Sequence, residues 1–173
     1  IIETGAKIIG FSVHMSNRLF TIEVAKEIRK RSKDKLVVFG GYGCSNEQMR
    51  HEVPEGVADI FVVGEGEETI VEIMTRIKHR MKMENIEVAI IALNSKPAGL
   101  NLRKPTEDLD SIPFPTYSEY FLENYIDPTL PLLISRGCIG KCAFCNDYVL
   151  ARPYRARSAK NVFEEIIFHF NNN

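Results

Sequence analysis

Ala58-Asp-Ile-Phe-Val-Val-Gly-Glu-Gly-Glu-Glu-Thr-Ile-Val-Glu-Ile-Met-Thr-Arg-Ile-Lys78 reads as a strand, a turn and a helix in direct succession. Asp59 to Val63 is a short apolar run of the buried-strand kind, closed by Gly64-Glu65-Gly66. Glu65, Glu67 and Glu68 crowd the start of the helix, while Lys78, His79, Arg80 and Lys82 load its end. Both sets of charges suit the helix macrodipole. Ile70, Ile73, Met74, Ile77 and Met81 recur at helical spacing and are expected to form its buried stripe. The glycines permit the bend and the acids cap the helix, which explains these residues without a ligand. A cofactor or domain-interface role is the alternative.

The same alternation continues upstream. Lys7 to Val13 is a short apolar run expected to be a strand, and Phe20, Val24 and Ile28 then mark a helix ending in Arg29-Lys30-Arg31. Leu36 to Phe39 is a second strand, broken by Gly40-Gly41, and Glu87 to Leu93 a further one. Strands separated by helical segments imply parallel βαβ units, so residues 1–95 are expected to form an open α/β sheet with helices on both faces. Composition changes at Ser95. Six of the eight prolines fall between 97 and 131, marking residues 96–130 as an extended linker. In the third stretch, 131–173, Leu132 to Ser135 resumes a strand. A last helix starts near Ser158, with Val162, Phe163, Ile166, Ile167 and Phe170 expected to face inward.

Across 173 residues, 22 Lys and Arg balance 23 Asp and Glu, for a net charge of −1, and 45% of residues are hydrophobic. That composition fills a core and is not that of a disordered chain. Near-neutrality gives no global attraction to nucleic acid or to an acidic membrane. The longest apolar run, Val88 to Leu93, is far short of the roughly 20 residues a bilayer needs. The opening Ile1-Ile2-Glu3 has no secretory character, and the first methionine is Met15, so a piece of a longer cytoplasmic protein is expected.

Chemistry concentrates in Cys138-Ile-Gly-Lys-Cys142-Ala-Phe-Cys145, a C-x₃-C-x₂-C loop following a strand. Three thiolates on a short glycine-bearing loop can reach three corners of an iron–sulfur cubane. The missing fourth ligand would leave one iron open, as catalytic metals keep an open position. The alternatives are structural zinc, with Cys44 or His169 completing the set, or three unligated thiols. Zinc sites usually present two C-x₂-C pairs or a Cys₂His₂ pattern, and neither occurs here.

Ser135-Arg-Gly-Cys138-Ile-Gly-Lys-Cys142-Ala-Phe-Cys145 resembles the signature loop of the radical S-adenosylmethionine (SAM) superfamily. The resemblance extends upstream through Gly40-Gly41, Ala58 to Thr69 and Asp108-Leu-Asp110-Ser-Ile-Pro-Phe-Pro115. Downstream it takes in Tyr154-Arg-Ala-Arg157-Ser-Ala-Lys-Asn161-Val-Phe-Glu-Glu165-Ile. Together these are similar to the branch carrying an N-terminal cobalamin-binding domain. The resemblance implies a partial Rossmann-like domain, a linker, and the opening strand–loop–helix of a partial TIM-type barrel. It implies a [4Fe-4S] cluster on Cys138, Cys142 and Cys145, with the open iron chelating SAM and Phe144 near the adenine. Reductive cleavage of SAM to methionine and a 5′-deoxyadenosyl radical would follow, with cobalamin a candidate second cofactor for radical methylation or rearrangement. Partners would be SAM, an unknown substrate, and an electron donor such as flavodoxin or ferredoxin; neither membrane nor nucleic acid is expected. The isolated piece is expected to be inactive.

Ser12-Val-His14 occupies the place of that branch's Ser-x-Leu, so Ser12, Gly40 and Gly41 carry over as cobalamin contacts. A tight turn explains Gly40-Gly41-Tyr42-Gly43 equally well, and the G-x-G-x-x-G spacing of dinucleotide sites is missing. A first domain that has lost cobalamin and serves as a scaffold or substrate-docking module is the competing reading. His14 ends a strand where ligands tend to bind, but without a partner residue it reads as a polar rim residue. Arg136, Lys141, Arg152, Arg155, Arg157 and Lys160 face only Asp147 around the cysteines. That basic excess would offset cluster charge, meet an anionic group or form a solvated face.

Overall fold

Strand β1 (Ile8–Ser12) pairs in parallel with β2 (Leu36–Gly40), and β2 with β3 (Ile60–Val62). Helix α1 (Arg18–Arg31) connects the first two strands, and a 3₁₀ turn (Tyr42–Ser45) with α2 (Glu47–Glu52) the next two. The computed structural model describes residues 5–45, 47–83, 89–91, 104–118, 121, 124–127, 129–140, 142–145 and 153–172. They fall into two units, Ile1–Lys104 and Pro105–Asn173.

Side-chain alternation along the strands sorts the first core into two layers. Ile9, Val37, Phe39 and Phe61 point to one face, where Ile22, Ala25 and Ile28 of α1 and Met49 of α2 cover them. Val38, Ile60 and Val62 point to the other and meet Ile73 of α3 (Glu67–Lys78). Helices therefore lie on both faces, as the βαβ pattern implies. Phe11, Phe39 and Phe61 sit side by side across the strands, with edge-to-face centroids 5.4 and 5.9 Å apart. Such pairs add to area burial and favour this register.

The expected stripes need correction. In α1, Thr21, Ile22, Ala25 and Ile28 are buried and Phe20 is exposed. In α3, Thr69 and Ile73 are buried, Ile77 is half-buried, and Ile70, Met74 and Met81 are exposed. The outer face of two neighbouring strands admits one narrow line of α3 residues, so the flanking apolar positions stay out. The fourth strand, β4 (Ala89–Ile91), runs antiparallel to β3 rather than parallel. A short strand at the end of the order β1-β2-β3-β4 escapes the crossover rule, as edge strands of α/β sheets often do.

The strand starts are tied by charge. Arg29 donates to the carbonyls of Lys35 (2.6 Å) and Val57 (3.2 Å) and pairs with the Asp59 carboxylate. Asp59 also accepts the Val37 amide at 2.7 Å. Lys35, itself buried, donates to the carbonyl of Ala6 at 2.6 Å.

In the second unit the stretch read as linker contains a 3₁₀ turn, Leu109–Ser111, in which Asp108 accepts the Asp110 amide at 3.0 Å. Strand β5 is Ser135–Arg136, not Leu132 to Ser135, and pairs antiparallel with β6 (Arg155–Ala156). Leu133 and Ile134 are exposed, so no apolar burial draws them into the ladder. Helix α4 spans Ala159–Asn172, and its apolar face is outward: Phe163, Ile166, Ile167 and Phe170 are exposed, while Glu165 and His169 are buried.

Ser158 caps α4 by accepting the Asn161 amide at 3.1 Å, and Asp110 accepts the Ser158 amide at 2.9 Å. Hydrogen bonds from Ser158, its hydroxyl first and then its amide, hold the Asp110 carboxyl below its ordinary 3.8. A depressed acid stabilises the fold above its unfolded value, and that contribution fades as pH falls through the folded value. Asp110→Asn should therefore lower the thermal midpoint at pH 6, with the gap to wild type closing as pH drops below about 4. Melting curves across that range check it; a gap independent of pH would show that the carboxylate charge plays no part.

Candidate functional site

Two places gather the residues singled out above. The first is the C-terminal edge of the parallel sheet, where β1 and β2 end side by side with Ser12 opposite Gly40. The Val13 amide donates to Gly40 O at 2.7 Å, and the Gly43 amide to Val13 O at 2.8 Å. Gly41 has φ of +88°, and a Cβ there would lie 2.9 Å from Val13 O and 3.2 Å from Ser12 Oγ. The strand end and the turn touch so closely that a side chain at Gly41 would cost about 1–3 kcal/mol. Ser12 Oγ lies 3.4 Å from His14 Nε2, and the His14 amide donates to Asn17 Oδ1 at 2.7 Å. Asn17 in turn donates to Ser12 O at 3.0 Å, and the His14 and Tyr42 rings face each other at 6.3 Å. Asn17 was invisible as a site residue in the sequence; its only signal is an amide placed just before a helix.

The second place is the cysteine loop. β5 delivers the chain to Gly137, whose φ of +84° turns it into Cys138. The Gly140 amide approaches Cys138 Sγ at 3.3 Å. A Cβ on Gly140 would sit 3.4 Å from Cys138 Sγ and 3.6 Å from Cys142 Sγ, so the two sulfurs bracket the volume that glycine leaves open. The Cys145 amide donates to Cys142 O at 3.1 Å, folding the third cysteine back in a turn. All three are free thiols; Cys138 and Cys142 are exposed and Cys145 half-buried. Phe144, 92% exposed, stands out from the loop. Among the described residues no group of three or more His, Cys, Asp or Glu side chains is already gathered for a metal ion. The donor chemistry fits an iron–sulfur cluster, and binding would draw the third sulfur in, since metal sites commonly organise with their metal.

The two candidates for a fourth, structural-zinc ligand are committed elsewhere. Cys44 is wholly buried in the first core, and burial pushes its thiol up to about 12. His169 lies 3.4 Å from Glu165 Oε1 with its ring 5.2 Å from that of Tyr117.

Over 170 residues the chain is 27% identical to an uncharacterised methyltransferase of Pyrococcus horikoshii, an alignment covering 94% of this chain and 37% of that protein. It is 29% identical over 157 residues to the anaerobic magnesium-protoporphyrin IX monomethyl ester cyclase of Rubrivivax gelatinosus, covering 84% of this chain and 27% of the cyclase. Two solved structures of TsrM, a radical S-adenosylmethionine methyltransferase from Kitasatospora setae, share the fold over 95% of the chain. One holds tryptophan and a SAM analogue (TM-score 0.65, 18% identity, 34% of that chain covered). The other holds cobalamin and a [4Fe-4S] cluster (TM-score 0.66, 16% identity, 35% covered). The chain is thus similar in sequence to a methyltransferase and a cyclase, and in fold to a radical SAM methyltransferase whose structures hold cobalamin, a [4Fe-4S] cluster and a SAM analogue. No family model matches it.

These proteins are named as methyltransferases and a cyclase, and the chain spans about a third of their length. The likeness to TsrM supports a Rossmann-like unit followed by the beginning of a radical SAM domain as the architecture. Two of the six basic residues around the cysteines, Arg155 and Arg157, are internal. Arg155 is buried and donates to Thr106 O at 2.6 Å and Pro153 O at 3.1 Å. Arg157 is engaged by Glu165 and Asn161, and Lys160 lies exposed 3.7 Å from Glu164. Lys141, Asp147 and Arg152 lie outside the described residues. The reading of this surplus as an anion-facing patch is thus replaced, for Arg155 and Arg157, by a structural one. Among the described residues no helix is long and apolar enough to cross a membrane.

Proposed function

We propose that the protein bearing this chain binds a [4Fe-4S] cluster on Cys138, Cys142 and Cys145 and cleaves SAM reductively, with cobalamin at the edge formed by Ser12, Gly40 and Gly41. The observation that supports it most directly is the bracketing of Gly140 by two cysteine sulfurs. When bound, the cluster supplies the electron that splits the SAM sulfonium into methionine and a 5′-deoxyadenosyl radical, and cobalamin a methyl group for transfer.

The chain's own residues have separate tasks. The three cysteines lose their protons to become ligands, so loading should release acid and grow easier as pH rises. Gly140 keeps the space between two sulfurs free of a side chain, and Gly137 sets the turn into the loop. Phe144 offers an apolar ring face against which an adenine can stack. Ser12 Oγ and the glycine backbone offer polar groups to a nucleotide tail at a sheet edge where ligands commonly bind. The packing of Gly41 and Gly43 against Val13 also favours a second reading, a scaffold domain without cobalamin, because it explains both glycines without a corrin.

Anaerobic reconstitution of the full-length protein with iron and sulfide, followed by metal analysis and Mössbauer spectroscopy, tests the first part. About four irons per chain as a cubane, and 5′-deoxyadenosine on adding SAM and dithionite, are expected. Iron-free protein that instead retains zinc would overturn the cluster reading. Titration with hydroxocobalamin, followed by the corrin absorption, separates a cofactor domain from a scaffold.

A further inference from the structure

Leu133 and Ile134 carry the chain into β5 and on to Cys138, yet both side chains are exposed and the β5–β6 ladder is only two residues long. Apolar burial therefore does not hold the stem of the cysteine loop. Beside that ladder and the Tyr117 hydroxyl, which donates to Pro131 O at 3.5 Å, Arg157 supplies the contacts that hold it. Its backbone amide donates to Ile134 O at 3.0 Å, and Nη1 donates to Leu133 O at 3.0 Å and pairs with the Glu165 carboxylate. Nε donates to Asn161 Oδ1 at 2.7 Å, and the guanidinium lies 5.5 Å from the centroid of the Phe114 ring. Glu165, 2% exposed, reaches His169 with its other oxygen, and His169 packs on Tyr117.

We propose that Arg157 is a positioning residue that fixes the stem of the cysteine loop against α4, so setting where Cys138 enters the cluster. The planar guanidinium meets a carbonyl, a carboxylate and an amide oxygen from two nitrogens of one rigid fork; an ammonium has three donors but carries them on a single nitrogen and does not span these acceptors. Glu165 keeps the charge compensated, since an unpaired arginine so enclosed is strongly unfavourable. The inference rests on the cysteine loop being the cluster site, and two independent readouts separate the two ideas.

In cluster-free full-length protein, Arg157→Lys should speed amide hydrogen exchange in residues 131–138 by about tenfold or more. Residues 159–172 should keep their wild-type protection. In the reconstituted protein the same variant should alter the EPR spectrum of the reduced cluster on adding SAM and slow SAM cleavage by about 10–100-fold, as losses around metal ligands do. Unchanged exchange at 131–138, or a wild-type EPR response, overturns the proposal. If Arg157→Lys loosens α4 as well, Asn161→Ala decides, since it deletes one partner of the guanidinium and no charge. Faster exchange confined to 131–138 then supports the role, and unchanged exchange there overturns it. If wild-type protein takes up no iron, the cluster reading fails while the exchange result still judges Arg157.

Discussion

Alanine at any one of Cys138, Cys142 or Cys145 is expected to lower SAM cleavage by the full-length protein more than about a hundredfold, since even residues that merely support metal ligands cost 10–100-fold when lost. Iron content should fall with it, because no replacement thiol is at hand. Cys44, the remaining cysteine, is sealed in the first core with its thiol raised to about 12, far from ready ionisation. It is therefore the control: Cys44→Ala should leave iron content and cleavage unchanged. Metal analysis of the four single variants, beside 5′-deoxyadenosine formation, checks this. A Cys142→Ala protein that still holds a full cluster would contradict the assignment, because Cys142 Sγ is one of the two sulfurs bracketing Gly140.

The three parallel strands were legible in the sequence and the helix faces were not. β1 and β3 fall within the apolar runs that mark them, and β2 exceeds its run by Gly40 alone. β2 and β3, covered on both faces, have to be apolar nearly throughout, while β1 at the sheet edge fully buries Ile9 alone. Helices α3 and α4 carry apolar residues on more than one side, so periodicity alone could not say which side is buried. On α4 the telling signal is polar: Asn161, Glu165 and His169 recur every four residues on one face, and that face is the one Arg157 occupies. A stripe of hydrogen-bonding residues on an otherwise apolar helix marks an internal network more surely than its phenylalanines mark a core. The three cysteines stood out because their spacing carries the chemistry itself. Arg155 and Arg157 looked like a surface patch because charge counted along the chain carries no information about burial.

Asp59 is the clearest case of a residue that the sequence concealed, and its replacement carries the largest stability change expected here. It sits one residue before β3 and reads as an ordinary polar strand boundary, yet it pairs with Arg29 and accepts the Val37 amide at 2.7 Å. Its own amide donates back to Val37 O at 2.9 Å. One carboxylate thus joins α1, β2 and β3 at the end of the sheet opposite Ser12 and Gly41. Asp59→Ala should destabilise the protein by about 3 kcal/mol, the low end of the range for breaking a buried pair because both side chains keep some exposure. Most of that cost comes from leaving the Arg29 guanidinium and the Val37 amide without their acceptor. Asp59→Asn retains one acceptor oxygen and should cost less, and pairing either change with Arg29→Met should recover part of the loss by removing the stranded charge. Urea unfolding of wild type, Asp59→Ala, Arg29→Met and the double variant measures the coupling; a loss below about 1 kcal/mol for Asp59→Ala would mean that the pair behaves as an ordinary surface contact. The clamp and the edge proposed for cobalamin lie at opposite ends of the strands, so Asp59→Ala protein that is still folded should titrate with hydroxocobalamin as wild type does. Stability and binding would then separate along the length of the same three strands.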